Sequence, residues 1–156
     1  AAARWGTRVS IIRLNYAVDL RYGVLVDLAQ KLLRDEVIDL QMGYVNCIWQ
    51  GDANAMALRA LPLSSAPPFV VNVTGAERLS VRAMALELGR LLGRAPRFTG
   101  REGDEALLAN TDKSQALFGV PAVGEQTLVA WVAEWALAGG RTLGKATRFE
   151  RRGGAF

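Results

Sequence analysis

The stretch RVSIIRLNY, residues 8–16, limits the fold more than any other, because its β-branched and large apolar residues fill the usual length of a strand. Its central IIRL predicts a strand buried on two faces, the situation of a strand inside a parallel sheet. After a turn near Asp19, YGVLVDLAQKLLRDE sets Leu25, Leu28, Ala29 and Leu32 on one helical face. A parallel strand that leads into an amphipathic helix belongs to the α/β class.

The remaining chain keeps this alternation. VIDLQMG and VNCIW are short candidate strands separated at Gly43, and GDANAMALRAL has helical composition with Asp52 placed to cap it. SSAPP is a loop, since proline removes a donor and restrains its predecessor, and FVVNV, residues 69–73, is a strand. Ser80 is a suitable N-cap for a helix carrying Val81, Met84, Ala85, Leu88, Leu91 and Leu92, with Gly93 where a left-handed C-cap is wanted. PRFTG reads as a strand, REGD as a charged turn, and ALLAN as an apolar piece before a short helix begun by Asp112 and ended by Gly119 and Pro121. A last helix near residues 125–138 is expected to bury Leu128, Trp131, Val132 and Trp135.

Composition narrows the chemistry. With 156 residues, about half of them apolar, the chain is long enough for one domain with a real core. The absence of histidine and the single cysteine exclude a Ser-His-Asp triad and zinc sites built on His and Cys, so no metal is expected. Cys47 reads as a buried structural thiol, which together with the absence of an apolar run long enough to span a bilayer suggests a cytoplasmic protein without membrane contact. The net charge of +4 is spread out except for RTLGKATRFERRGGAF, residues 141–156, a basic tail read as solvated, and nucleic-acid binding is not expected. Neither a G-x-G-x-x-G turn nor a P-loop is present, so no catalytic residue is assigned within the chain.

A strand buried on both faces needs neighbours on both sides, and only seven residues precede residue 8. The expectation is that the chain is the C-terminal part of a longer protein.

Four segments, in order, resemble the extended short-chain dehydrogenases/reductases, the NAD(P)-dependent sugar-nucleotide epimerase/dehydratase family. IIRLNYAVDLRYG resembles that family's I-x-R-x-x-N-x-Y-G strand and loop, and VNCIWQGDANAMALRAL its R-D-x-I-x-V-x-D-x-A-x-A segment. FVVNVTGAERLSVRAMALELGRLLG is similar to V-x-N-x-G-x-x-x-x-S with its helix, and REGDEALLANTDKSQALFGVP to R-x-G-D…A-D-x-S-K-A-x-x-x-L-G-W-x-P. The resemblance implies the C-terminal portion of a Rossmann-type sheet plus a small α/β substrate-binding domain, residues 1–140, followed by the basic tail 141–156. It also implies NAD or NADP bound mainly by a missing N-terminal nucleotide-binding part, which would hold the glycine fingerprint and a Tyr-x-x-x-Lys pair. Tyr16, Tyr22 and Tyr44 are followed four residues later by Leu20, Val26 and Ile48, so none is that tyrosine.

Carried over residue by residue, Asn15 matches the asparagine near nicotinamide and substrate, where an amide can both donate and accept, and Tyr16 stands one place before the family tyrosine. Arg101 and Asp104 match the pair that grips the nucleotide part of the substrate, guanidinium to phosphate and carboxylate to ribose hydroxyls. Departures bear on the substrate. Val45 stands where the family often has arginine, which removes a phosphate contact, and Asn46 stands where it has aspartate, still a candidate substrate contact. Asp112-Lys113-Ser114-Gln115-Ala116 moves the family's lysine, and FGVP replaces L-G-W-x-P.

The implied activity is an epimerase, dehydratase or reductase acting on a sugar-nucleotide-like or other hydroxyl or carbonyl compound, with a homodimer left open. A non-catalytic dinucleotide-sensing or partner-binding relative of the same fold is the alternative. A free-standing small α/β binding domain is a third reading.

Overall fold

The computed structural model describes residues 2–103 and 106–150. The elements are α1 (Ala2–Trp5), β1 (Ser10–Leu14), β2 (Ala17–Val18), α2 (Val24–Leu33), β3 (Val37–Asp39), β4 (Tyr44–Val45), β5 (Ile48–Trp49) and α3 (Gln50–Ala60). They continue through β6 (Phe69–Val73), β7 (Leu79–Ser80), α4 (Val81–Leu92), β8 (Arg97–Thr99), α5 (Asp112–Phe118) and α6 (Glu125–Leu137). This is a mixed α/β fold with parallel strand pairs, a partial Rossmann-like arrangement.

Among the described residues the strands form four two-stranded pairs. β1 runs parallel to β6 with Ile12 opposite Val71 and Leu14 opposite Val73, β2 parallel to β5, and β3 parallel to β8. β4 and β7 are antiparallel, with Val45 opposite Leu79.

Two apolar clusters follow from the periodicities. α2, α4 and α6 pack on one another, and Leu25, Leu28, Met84, Leu88, Leu128 and Val132 fill the space between them. On the other side α3 covers one face of β1 and β6, where Met56, Ala60, Val71 and Val73 meet Phe118 of α5 and the flanking Ile12. Ser80 caps α4 by accepting from the Ala83 N–H at 3.2 Å, and Gly93 closes that helix in the left-handed region at φ 66°, as the sequence predicts.

Four expectations are corrected. β1 is parallel but not buried on both faces: Ile11, on the face away from α3, is 43 % exposed, Leu14, at the strand's end on the same face as Ile12, is 55 % exposed, and β1 has no second neighbour among the described residues. Asp52 does not cap α3, which begins earlier, at Gln50; its Oδ2 accepts instead from the Val123 N–H at 2.9 Å, joining α3 to the approach of α6. Trp131 lies at the rim of α6, 37 % exposed, in an edge-to-face contact with Trp49 at 5.5 Å, while Val129 and Ala133 complete the buried face. The segment after α6 is docked up to residue 150: Phe149 is only 1 % exposed, and Thr147 donates through both its N–H and its hydroxyl to Asp27 of α2. A solvated tail would not bury a phenyl ring, and the polar pattern of RTLGKATRFE hid this one anchor.

Candidate functional site

The carboxyl ends of parallel strands are where α/β sheets assemble ligand sites. β1 and β6 end side by side, and the Asn15 N–H extends their ladder by donating to the Val73 carbonyl at 3.1 Å. Asn15 is thereby fixed just beyond the last β1 residue, half-buried. Its side-chain Nδ2 donates to the Asn46 Oδ1 at 2.8 Å.

Asn46 sits between β4 and β5, 4 % exposed, and its carboxamide is consumed by structure. Oδ1 accepts also from the Ala109 N–H at 3.4 Å, and Nδ2 donates to the Ala109 carbonyl at 2.9 Å. The amide thus pairs with one backbone unit on both its edges, as a strand would. Its own carbonyl accepts from the buried Thr74 hydroxyl at 3.1 Å. That approach is possible because the next residue is glycine: a Cβ on Gly75 would lie 2.0 Å from the Cys47 carbonyl oxygen. Asn72 of β6 donates to the Asn110 carbonyl at 2.9 Å, so the segment 109–110 is stitched across the ends of both strands.

Tyr16 follows Asn15 with φ 43°, a left-handed conformation unusual for a residue with a side chain. Its carbonyl accepts from the Ile48 N–H at 3.2 Å, which starts the β2–β5 pairing, and its ring packs partly buried against the main core. Burial, with a smaller contribution from Tyr22, pushes the phenol above its ordinary 10.0, so it is a neutral donor near neutral pH.

Arg101 is exposed in the loop after β8 and makes no hydrogen bond or ion pair with Asn15, Tyr16 or Asn46. Its neighbour Glu102 holds the loop. Both carboxylate oxygens accept from Arg82 of α4, at 2.8 and 3.4 Å, and the guanidinium also lies over the Phe98 ring at 4.7 Å. A Cβ on Gly43 would come within 2.8 Å of the Glu102 side chain, so the loop seats on the turn before β4. Asp104 lies outside the described residues.

Val45 has no exposed surface and belongs to the main core. A cation there would have to be buried without a partner. Cys47 is buried, and burial, with a smaller effect of Glu125, pushes its thiol up to about 12. It is inert near neutral pH.

The structure therefore brings Asn15 and Asn46 together, sets Tyr16 next to Asn15 in the chain, and bonds Arg101 to none of the three. Ala109, Asn110, Asn72, Thr74 and Glu102 were not singled out from the sequence. Only the asparagine of V-x-N-x-G carried a signal, because contacts made by backbone atoms leave no residue-type pattern.

Comparison with known proteins bears on the fold. No family model matches the chain, and no curated protein matches it. Solved structures do. A UDP-galactose 4-epimerase superposes with TM-score 0.65 at 23% identity, over 88% of this chain and 48% of that one. UDP-glucuronic acid 4-epimerase from Bacillus cereus, in complex with NAD, gives TM-score 0.69 at 15% identity, over 88% and 47%. RMD from Pseudomonas aeruginosa, complexed with NADPH, gives 0.67 at 13% identity, over 88% and 51%. The chain thus shares the fold of the corresponding part of these two epimerases and of RMD, and spans about half the length of each.

Proposed function

We propose that the chain is the C-terminal, substrate-binding portion of an NAD(P)-dependent epimerase, dehydratase or reductase acting on a sugar-nucleotide-like or other hydroxyl- or carbonyl-bearing substrate. The observation that carries the reading is the Asn15–Asn46 amide pair at the carboxyl end of β1, joined to segment 109–110. Asn15 uses one N–H on Asn46 and keeps a carboxamide oxygen to accept from a substrate hydroxyl. Asn46 acts as the positioning residue. Arg101, exposed on a loop that Glu102 anchors, supplies a cation for an anionic part of the substrate, with Asp104 as a second contact. The Tyr16 hydroxyl is a weaker candidate, since its ring is partly committed to the core.

In this account NAD or NADP supplies the hydride chemistry, bound mainly by a nucleotide-binding part outside this sequence. The exposed Ile11 and Leu14 of β1, a strand with no second neighbour among the described residues, support it, because parallel strands are ordinarily buried between further strands and helices. The residues described here hold the substrate by its hydroxyl and anionic groups and so fix the reacting carbon against the cofactor, a contribution of roughly 7–11 kcal/mol where orientation is tight. The test is titration of the 156-residue chain with NAD and NADP. Absence of tight binding is expected; submicromolar affinity would contradict a cofactor site lying elsewhere.

A further inference from the structure

Away from the Asn15–Asn46 pair, the docked segment after α6 arches over α2 and leaves a cavity of about 410 Å³ between them. Arg21, Lys31, Arg34, Lys145 and Arg148 line it, against the three carboxylates Asp27, Glu36 and Glu150. The carboxylates are engaged within the wall. Glu150 pairs with Lys31, Asp27 accepts from the Thr147 N–H at 2.8 Å and its hydroxyl at 2.5 Å, and Glu36 lies 3.9 Å from Arg34. Arg21 is held by Asp19 at 2.8 Å.

Lys145 and Arg148 remain. Neither has an ion-pair partner among the described residues, and Lys145 lies over the Tyr22 ring at 5.8 Å, which steadies it without neutralising it. Two anchors fix the segment that carries them: Thr147 on Asp27, and the buried Phe149, which also contributes to the cavity wall. A cleft with excess charge of one sign concentrates ions of the other. Guanidinium and ammonium groups together suit the oxygens of a phosphate.

We propose that this cavity is a binding site for a small phosphate-bearing molecule, with Lys145 and Arg148 as its principal contacts. The site shares no residue with Asn15, Tyr16, Asn46 or Arg101 and stands whether or not the substrate-binding reading holds.

The experiment is calorimetric titration of the 156-residue chain with inorganic pyrophosphate at constant ionic strength, beside Lys145→Gln, Arg148→Gln and Arg101→Gln. Saturable binding weakened about tenfold by each of the first two, and unchanged in the third, is expected. No saturable binding, or binding indifferent to both Lys145 and Arg148, would overturn the proposal. Amide shifts on the unsubstituted chain give a readout independent of any variant's folding. Changes confined to residues 21–36 and 142–150 support the site, and changes centred elsewhere overturn it.

Discussion

The Asn15 side chain donates to the Asn46 carboxamide at 2.8 Å across 31 positions of sequence, and Asn46 in turn grips both the backbone N–H and the backbone carbonyl of Ala109. One buried amide therefore fixes the end of β1 to a segment far along the chain. Aspartate at this position would still accept from Asn15 but could not donate to the Ala109 carbonyl. Asn46→Asp and Asn46→Ala are each expected to lose about 1–3 kcal/mol in urea unfolding, the cost of leaving a buried polar group unpaired. Unchanged stability in both would show that the pairing does not hold the segment.

Cys47 makes a pH prediction. The folded thiol is held protonated up to about 12, whereas the unfolded one ionises near its ordinary 9.0. Between these values the unfolded state gives up a proton that the folded state keeps, so stability falls as pH rises through that window. Tyr16, raised above 10.0, acts in the same direction. Cys47→Ala should make the alkaline decline shallower, and the native thiol should resist alkylation at neutral pH at a rate set by unfolding.

Phe149 anchors the segment after α6 with 1 % of its surface exposed. Phe149→Ala should cost about 3–5 kcal/mol by denaturant titration, the usual loss for a buried phenyl. A loss below about 0.5 kcal/mol, the range of surface substitutions, would show that the segment is not docked in solution.

The Arg82–Glu102 pair is partly exposed, so its removal should change stability by no more than about 1 kcal/mol. Its effect is expected on binding. If Glu102 seats the loop that presents Arg101, then Glu102→Gln and Arg101→Ala in the complete gene product should both raise KM for a phosphate-bearing substrate, Arg101→Ala by about tenfold or more. Unchanged kinetics for both would mark the loop as a solvated turn.

The helices from α2 onward were legible in the sequence because their apolar faces recur at helical spacing or their ends carry local chemistry, as Ser80 and Gly93 do for α4; α1 was not read. Strand burial was not, since IIRL reads the same whether neighbours cover one face or both, and only the three-dimensional arrangement shows Ile11 and Leu14 exposed. Asp52 misled for a similar reason: a carboxylate near a helix start can cap it or reach a distant N–H, and here Val123 is the partner. In the candidate site Asn15 and Asn46 were readable as residue types. Their mutual contact was not, because it joins positions 31 apart and is braced by the Ala109 backbone, which leaves no residue-type pattern. Arg82 and Glu102, twenty residues apart, carry no spacing that links them.

Asn15 is proposed to act at a substrate beside a nicotinamide. The most direct measurement is reduction of bound NAD or NADP by a hydroxyl-bearing substrate in the complete gene product, followed by nicotinamide absorbance, with and without Asn15→Ala. The predicted result is that both proteins bind cofactor and that the variant loses about tenfold or more in turnover. A complete gene product that binds neither NAD nor NADP, or an Asn15→Ala variant that turns over at the unsubstituted rate, would contradict it.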